Sequence, residues 1–267
     1  MNFPNSQLVQ TSAAGKALSG VTYLGDEMFI VHDEEAAVQV YDVDALSLKR
    51  SLPVTGLTEA WDLTSCVQNN SLYCCNFNGD CVFQIDVKGN ATRWSPHGSV
   101  YSLSVTANSN VLVTIEHTSK LNMFTANGCL LREINLQQSA PGPLHSVQLS
   151  DGQFLVSHGG KNRACVIDDD GKLVQCYSGP IGFGVGQIQT LYHLIVDNQG
   201  FIAAADYFNN KVVLLSPSLT YVKELISADK GVPQNPFRMY FDKRRGQLCV
   251  AGHGCGSLSV FRGEPEV

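Results

Sequence analysis

The chain has 267 residues, 44% of them hydrophobic and only 16% charged, enough apolar material to bury a sizeable core. Its net charge of −6, with 18 basic residues, excludes a globally basic binder of nucleic acid or anionic membrane. No apolar run approaches the length of a membrane-spanning helix, so no membrane association is expected.

The first stretch, MNFPNSQLVQTSAAGK, has neither a basic start nor a continuous apolar core, so it does not read as a signal peptide. Within it, "SQLVQTSAAG" is similar to "GKLVQCYSG" (171–179), a strand from the middle of the chain. From Val21 onward one pattern recurs: strand, tight turn, strand, polar loop, strand, turn, strand. "VTYLGDEMFIVHDEEAAVQVYDVDALSLKRSL" begins at Val21, and "WDLTSCVQNNSLYCCNFNGDCVFQIDVKGNATRW" at Trp61. The next units begin at Tyr101, His145 and His193, and a last, shorter one at Phe237. Their third strands end near Tyr41, Ile85, Phe124, Ile167, Leu215 and Phe261, a spacing of 39 to 48 residues. Six four-stranded units with a period in the forties predict an all-β, six-bladed β-propeller of antiparallel blades in a single domain spanning 1–267. The last unit lacks a fourth strand. Residues 6–12 are expected to supply it and close the ring, removing the exposed strand edges of an open propeller. The blades then fall at about 20–56, 57–98, 99–142, 143–190, 191–235 and 236–263.

The nine cysteines are odd in number and lack CxxC spacing. They read as buried free thiols of a reducing, cytoplasmic compartment, where the N-x-S/T sequons at Asn69 and Asn90 carry no meaning.

The fifth unit, "VDNQGFIAAADYFNNKVVLLSPSLTYVKEL", resembles the NHL repeat through Val196–Asp197, Gly200, Ala205–Asp206 and Asn209–Asn210. The fourth unit keeps Gly152 and Asn162–Arg163 but has Ser157–His158 in place of Ala-Asp. The sixth keeps Asp242 and Gly246, and the first three keep only the layout. The whole is similar to the NHL propellers at the C-terminus of tripartite-motif proteins. That resemblance implies a non-catalytic module binding protein or RNA through one face, with Asp206 as a blade-stabilising loop residue.

In a propeller, the loops joining second to third strands, and one blade to the next, share a face, the usual place for binding residues on a rigid scaffold. Aligning the first strands puts Thr22, Asp62, Ser102, His145, His193 and Arg238 at one position near the channel mouth. Trp61, Tyr101, Tyr192 and Phe237 precede four of them; aromatics there wedge blades together or, for Trp61 and Tyr101, anchor a partner. The candidate binding residues are therefore Trp61, Tyr101 and Phe208 as aromatic anchors and Asp62, His145, His158, His193 and Arg238 as polar selectors. Protein or peptide is the expected partner of a monomeric module. Single-stranded RNA is disfavoured by the acidic first unit, His32–Asp33–Glu34–Glu35.

A metal-dependent hydrolase or lyase at the mouth is the alternative. Six of the seven histidines map to that face, but the ring position offers two, and no HxH or HxxH spacing fixes a third. Its single carboxylate, Asp62, falls short of a Ca²⁺ cage. No G-x-S-x-G, P-loop or HExxH occurs, and the glycine-rich "GPIGFGVGQ" (179–187) reads as a connecting loop over the face. No catalytic residue, metal ligand or cofactor is assigned.

Overall fold

In this computed structural model the described residues are 5–10, 17–33, 35–77, 79–115, 117–137, 142–159, 162–177, 179–254 and 256–263, with backbone alone for 5–10 and Ala228. Six four-stranded antiparallel sheets form a propeller ring. After β1 (Asn5–Gln10), blade I holds β2 (Leu18–Leu24), β3 (Glu27–His32), β4 (Ala37–Asp42) and β5 (Leu48–Pro53). Blade II holds β6 (Ala60–Cys66), β7 (Ser71–Asn76), β8 (Val82–Asp86) and β9 (Ala91–Trp94). Blade III holds β10 (Val100–Val105), β11 (Val111–Ile115), β12 (Lys120–Phe124) and β13 (Leu130–Asn135). Blade IV holds β14 (Pro143–Gln148), β15 (Phe154–His158), β16 (Arg163–Ile167) and β17 (Leu173–Cys176). Blade V holds β18 (Leu191–Val196), β19 (Ile202–Asp206), β20 (Lys211–Leu215) and β21 (Tyr221–Ile226). Blade VI holds β22 (Pro236–Asp242), β23 (Gln247–Gly252) and β24 (Ser257–Arg262), completed by β1.

The expected clasp is present. β1 pairs antiparallel with β24, Ser6 opposite Phe261 and Gln10 opposite Ser257, so the first strand completes the last sheet. Residues 11 and 12 of the expected closing strand lie outside the described residues.

Burial explains the strand compositions. Several second and third strands, such as β11, β19 and β20, are buried throughout and mostly apolar. Outer strands such as β5 and β13 are largely exposed and polar. Cores sit between neighbouring blades: Val40, Leu52, Leu63 and Phe83 join I to II, and Leu121, Ile134, Phe154 and Val156 join III to IV. Aspartates set the hairpins. Asp197, for example, accepts the N–H groups of Gln199 and Phe201, and Gly200 takes the positive φ of the turn.

One expectation is corrected. Cys165 and Cys176 face each other across β16 and β17 and form a disulfide, so the cysteines are not all free thiols. Strand register, which brings residues 11 apart to opposing positions, is the cause. Cys66, Cys74, Cys75 and Cys249 are free and buried as expected, whereas free Cys81 is half-buried and free Cys129 exposed, against that expectation. Among the described residues no helix is long and apolar enough to cross a membrane.

Candidate functional site

Each inner strand is bulged at its mouth end. Ala60 pairs with Asn76 and Asp62 with Cys75, skipping Trp61; Tyr101, Leu144 and Phe237 are skipped likewise, and in β18 the shift spans Tyr192 and His193. A bulge re-aims side chains at a sheet end. Here it produces two tiers, aromatic above and polar below. In blade I the skipped residue is Ser19, so Gly20, not Thr22, shares the position of Asp62. The blade I alignment is corrected by two residues, and the ring is Gly20, Asp62, Ser102, His145, His193 and Arg238.

In the polar tier, Arg238 Nε lies 3.0 Å from Asp62 Oδ1, both side chains buried. Asp62 also accepts the N–H of Leu63 at 2.9 Å and of Leu103 at 2.8 Å. Burial pushes its carboxyl up, while the guanidinium and the two amides hold it down. Arg238 Nη2 donates to the carbonyls of Trp61 (3.4 Å) and Tyr101 (3.2 Å), and its guanidinium stacks 4.0 Å over Phe237. Blade I lies between blades VI and II and contributes only Gly20, whose missing Cβ would meet Leu63 Cβ at 2.7 Å. The arginine thus reaches its carboxylate across a blade that offers no ring side chain.

On the other side, His145 and His193 stack at 3.7 Å. His145 Nδ1 accepts the N–H of Leu194 at 3.3 Å, whereas His193 Nδ1 is buried without a partner. Burial, then the nearby guanidinium, pushes His145 down to about 3. Burial, then His145 and Arg238, drives His193 well below the ordinary imidazole range. Ser102 turns away, donating to Thr114 in its own blade.

The aromatic tier covers this ring. Trp61 touches Phe77, Tyr101, Phe237 and His253, with centroids 4.5 to 6.2 Å apart. Tyr207 continues it, stacking near Tyr192 and hydrogen-bonding His253 Nδ1 at 2.9 Å. Phe208 follows at the rim, edge-on to Tyr207. The indole expected as an exposed anchor is therefore only 8% exposed, because it is the hub of this packing. Asp62, Trp61, Tyr101 and Arg238 form one cluster, and His145 with His193 forms another beside it. His158 stands apart: it ends β15, wholly buried opposite Pro143.

Sequence reading passed over the most exposed apolar surface of this face, the loop 179–190. Asp206 accepts the N–H groups of Gln189 and Thr190 and the amide of Asn209, which also donates to Gly182 O. Lys211 Nζ donates to Gln187 O at 3.0 Å. The loop is tethered from beneath, yet Ile181, Phe183 and Val185 are 57%, 73% and 97% exposed, beside Phe208 at 54%. A cleft of about 370 Å³ separates it from blade V, lined by Phe183, Val185, Asn209, Lys211, Glu224 and Asp229 among others. Alternating Gly and apolar residues in "GPIGFGVGQ" were the available signal.

As for a metal, Asp62 is committed to a guanidinium and two amides, and the two ring imidazoles pack on each other. Among the described residues no three His, Cys, Asp or Glu side chains gather to hold an ion. The donor set does not fit a channel-bound cation.

No family model matches the chain, and no curated protein matches it. Solved structures do. The virginiamycin B lyase of Staphylococcus aureus aligns with a TM-score of 0.70 at 12% identity, covering 97% of this chain and 99% of that one. XC5397 of Xanthomonas campestris, a gluconolactonase, gives 0.72 at 13%, covering 98% and 91%. Hydrazine synthase of Kuenenia stuttgartiensis gives 0.68 at 13%, covering 97% and 98%. At such identities the likeness establishes the six-bladed propeller and nothing finer.

Proposed function

We propose that this propeller is a non-catalytic recognition module of the NHL kind, which holds a protein or peptide on its mouth face. The observation that carries the reading is the tethered loop 179–190, which spends four side-chain and backbone anchors on holding Ile181, Phe183 and Val185 out in solvent beside Phe208. Contiguous exposed apolar groups on a rigid support are the usual mark of an interaction surface. The cleft behind the loop is lined by Lys211, whose Nζ lies 3.8 Å from Glu224, and by Asp229, so it offers both signs of charge beside the apolar loop. Trp61, Tyr101 and Arg238 act from beneath as the platform, with His145 and His193 beside them and His158 buried apart at the end of β15.

The enzymatic names among the structural neighbours keep a hydrolase or lyase at the mouth as a second reading. Against it stands the commitment of Asp62 to Arg238, which leaves the ring without a free carboxylate. The test is crosslinking of intact protein in its native extract, scored for protein and RNA, with Phe183→Ser/Val185→Ser/Phe208→Ala beside the wild type. These positions are 54% to 97% exposed, so the variant is expected to fold, with its denaturant midpoint as the check. A protein recovered by the wild type and lost by the variant supports the reading. RNA alone, or the same partners with both, overturns it.

A further inference from the structure

The loop 179–190 has two roots. On the blade V side the polar groups of Asp206, Asn209 and Lys211 hold it. On the blade IV side it grows out of β17, and that strand has little ladder of its own. Leu173, Gln175 and Cys176, opposite Ile167, Val166 and Cys165, are its whole pairing with β16, shorter than that of any other outer strand. Val174 and Gln175 stand exposed, and Gln175 donates to Ser218 O of blade V. The Cys165–Cys176 disulfide supplies covalently what this short ladder lacks. Tyr177 then carries the hold into the loop. Its N–H donates to Ala164 O at 2.8 Å, and its ring packs in the core with Leu155, Val166 and Ile188. Gly179 lies so close above it that a Cβ there would meet the phenol, whose hydroxyl donates to Gly186 O at 3.5 Å.

The bond also stands alone. Among the described residues six other cysteines are free, Cys129 exposed and Cys81 half-buried. Disulfide-stapled chains are dense in such bonds, whereas an isolated one among thiols is commonly a transient, redox-sensing pair. Cys165 is wholly buried and Cys176 half-buried, so an outside thiolate reaches Cys176 first.

We propose that Cys165–Cys176 is a redox-operated pin for the mouth loop: oxidised it fixes the loop's root, and reduction by a dithiol frees β17 and disorders the displayed apolar groups. One thiolate of the dithiol attacks Cys176 Sγ, the Cys165–Cys176 bond breaks, and Cys165 leaves as a thiolate that takes a proton. The second thiol, giving up its proton, attacks the dithiol sulfur held by Cys176. That step closes the dithiol's own disulfide and releases Cys176 as a thiol, so two electrons pass to the protein. Control of partner binding follows from the mouth reading; release of the loop does not depend on it.

Amide hydrogen exchange of the intact chain before and after millimolar dithiothreitol tests this, with iodoacetamide labelling to follow each thiol. Cys165 and Cys176 are expected to resist labelling until the reductant is added. Exchange over 173–187 should then rise at least tenfold while the six inner strands keep their protection, and oxidised glutathione should reverse it. Cys165→Ala/Cys176→Ala should exchange fast with or without reductant. Should it fail to fold, Cys176→Ser at the half-buried end serves the same purpose. Crosslinking in native extract should recover the protein partner at least fivefold better with the oxidised form. Labelling of both cysteines without reductant, a bond that withstands dithiothreitol in the folded chain, unchanged exchange once both are labelled, or loss of inner-strand protection overturns the pin. Equal partner recovery by a loop shown to be released overturns its control of binding. Recovery of no partner by either form sinks the mouth reading, and exchange alone then decides the pin.

Discussion

The two halves of the channel ring occupy the same strand position and solve burial in opposite ways. Across blades VI, I and II, Arg238 and Asp62 pair over Gly20, and the carboxylate is further held by two amides. Across blades IV and V, two neutral imidazoles stack, one of them with an unmatched nitrogen. The first half is a fixed strut whose bonds join blades VI, II and III. The second is held together by packing and by staying uncharged, so it is the half that pH can address.

The strut gives the largest expected effect. Arg238→Met strands a buried carboxylate and should cost about 3–5 kcal/mol, read as a lower denaturant midpoint. Replacing both partners, Asp62→Leu with Arg238→Met, should recover most of it, because two apolar residues leave no charge behind. A single variant within about 1 kcal/mol of wild type would mean that the pair is not the strut described.

Acid should act on the other half. His145 sits at about 3 in the folded chain, against an unfolded value of about 6.5, and His193 is lowered in the same direction. The unfolded state therefore binds more protons. Stability is complete above about pH 6.5 and falls as pH drops toward 3, for His145 by about 1.4 kcal/mol per unit, or roughly 2 kcal/mol at pH 5, with His193 acting in the same direction. The raised carboxyl of Asp62 has the opposite sign, so the informative comparison is with His145→Gln/His193→Gln. Urea midpoints at pH 7, 6 and 5 should slope in the wild type and flatten in the variant. Equal slopes would remove the imidazoles from the account.

Gly20 tests the junction between the halves. A Cβ there would come 2.7 Å from Leu63 Cβ and 2.8 Å from Val31 Cγ2, so Gly20→Ala should cost about 1–3 kcal/mol by overpacking. The same position shows where sequence reading reached its limit. Six blades, their third-strand register and the terminal clasp were legible because apolar runs and Asp/Gly turns repeat along the chain. Five of the six ring residues followed from the starts of the inner strands. The sixth did not, because blade I has Ser19 at its bulge where four of the other blades have an aromatic, and a glycine in a ring casts no side chain to recognise. The burial of Trp61 was likewise hidden. It depends on Phe77, Tyr101, Phe237 and His253 meeting across blades II, III and VI, which no local spacing encodes. The Cys165–Cys176 disulfide depends in the same way on cross-strand register.

The smallest stability effect belongs to the outer rim, and its smallness is informative. Phe183→Ser and Val185→Ser remove side chains that are mostly in solvent, so midpoints should move by no more than about 0.5 kcal/mol. Asp206→Ala, by contrast, removes the acceptor for Gln189, Thr190 and Asn209 and should release the loop. Amide hydrogen exchange over 181–190 should then rise while the six inner strands keep their protection. If the serine variants lower stability as much as Asp206→Ala does, the loop's apolar groups serve the fold. If they leave stability alone and remove partner binding, the tether and the display are separate, as the geometry of Asp206, Asn209 and Lys211 requires.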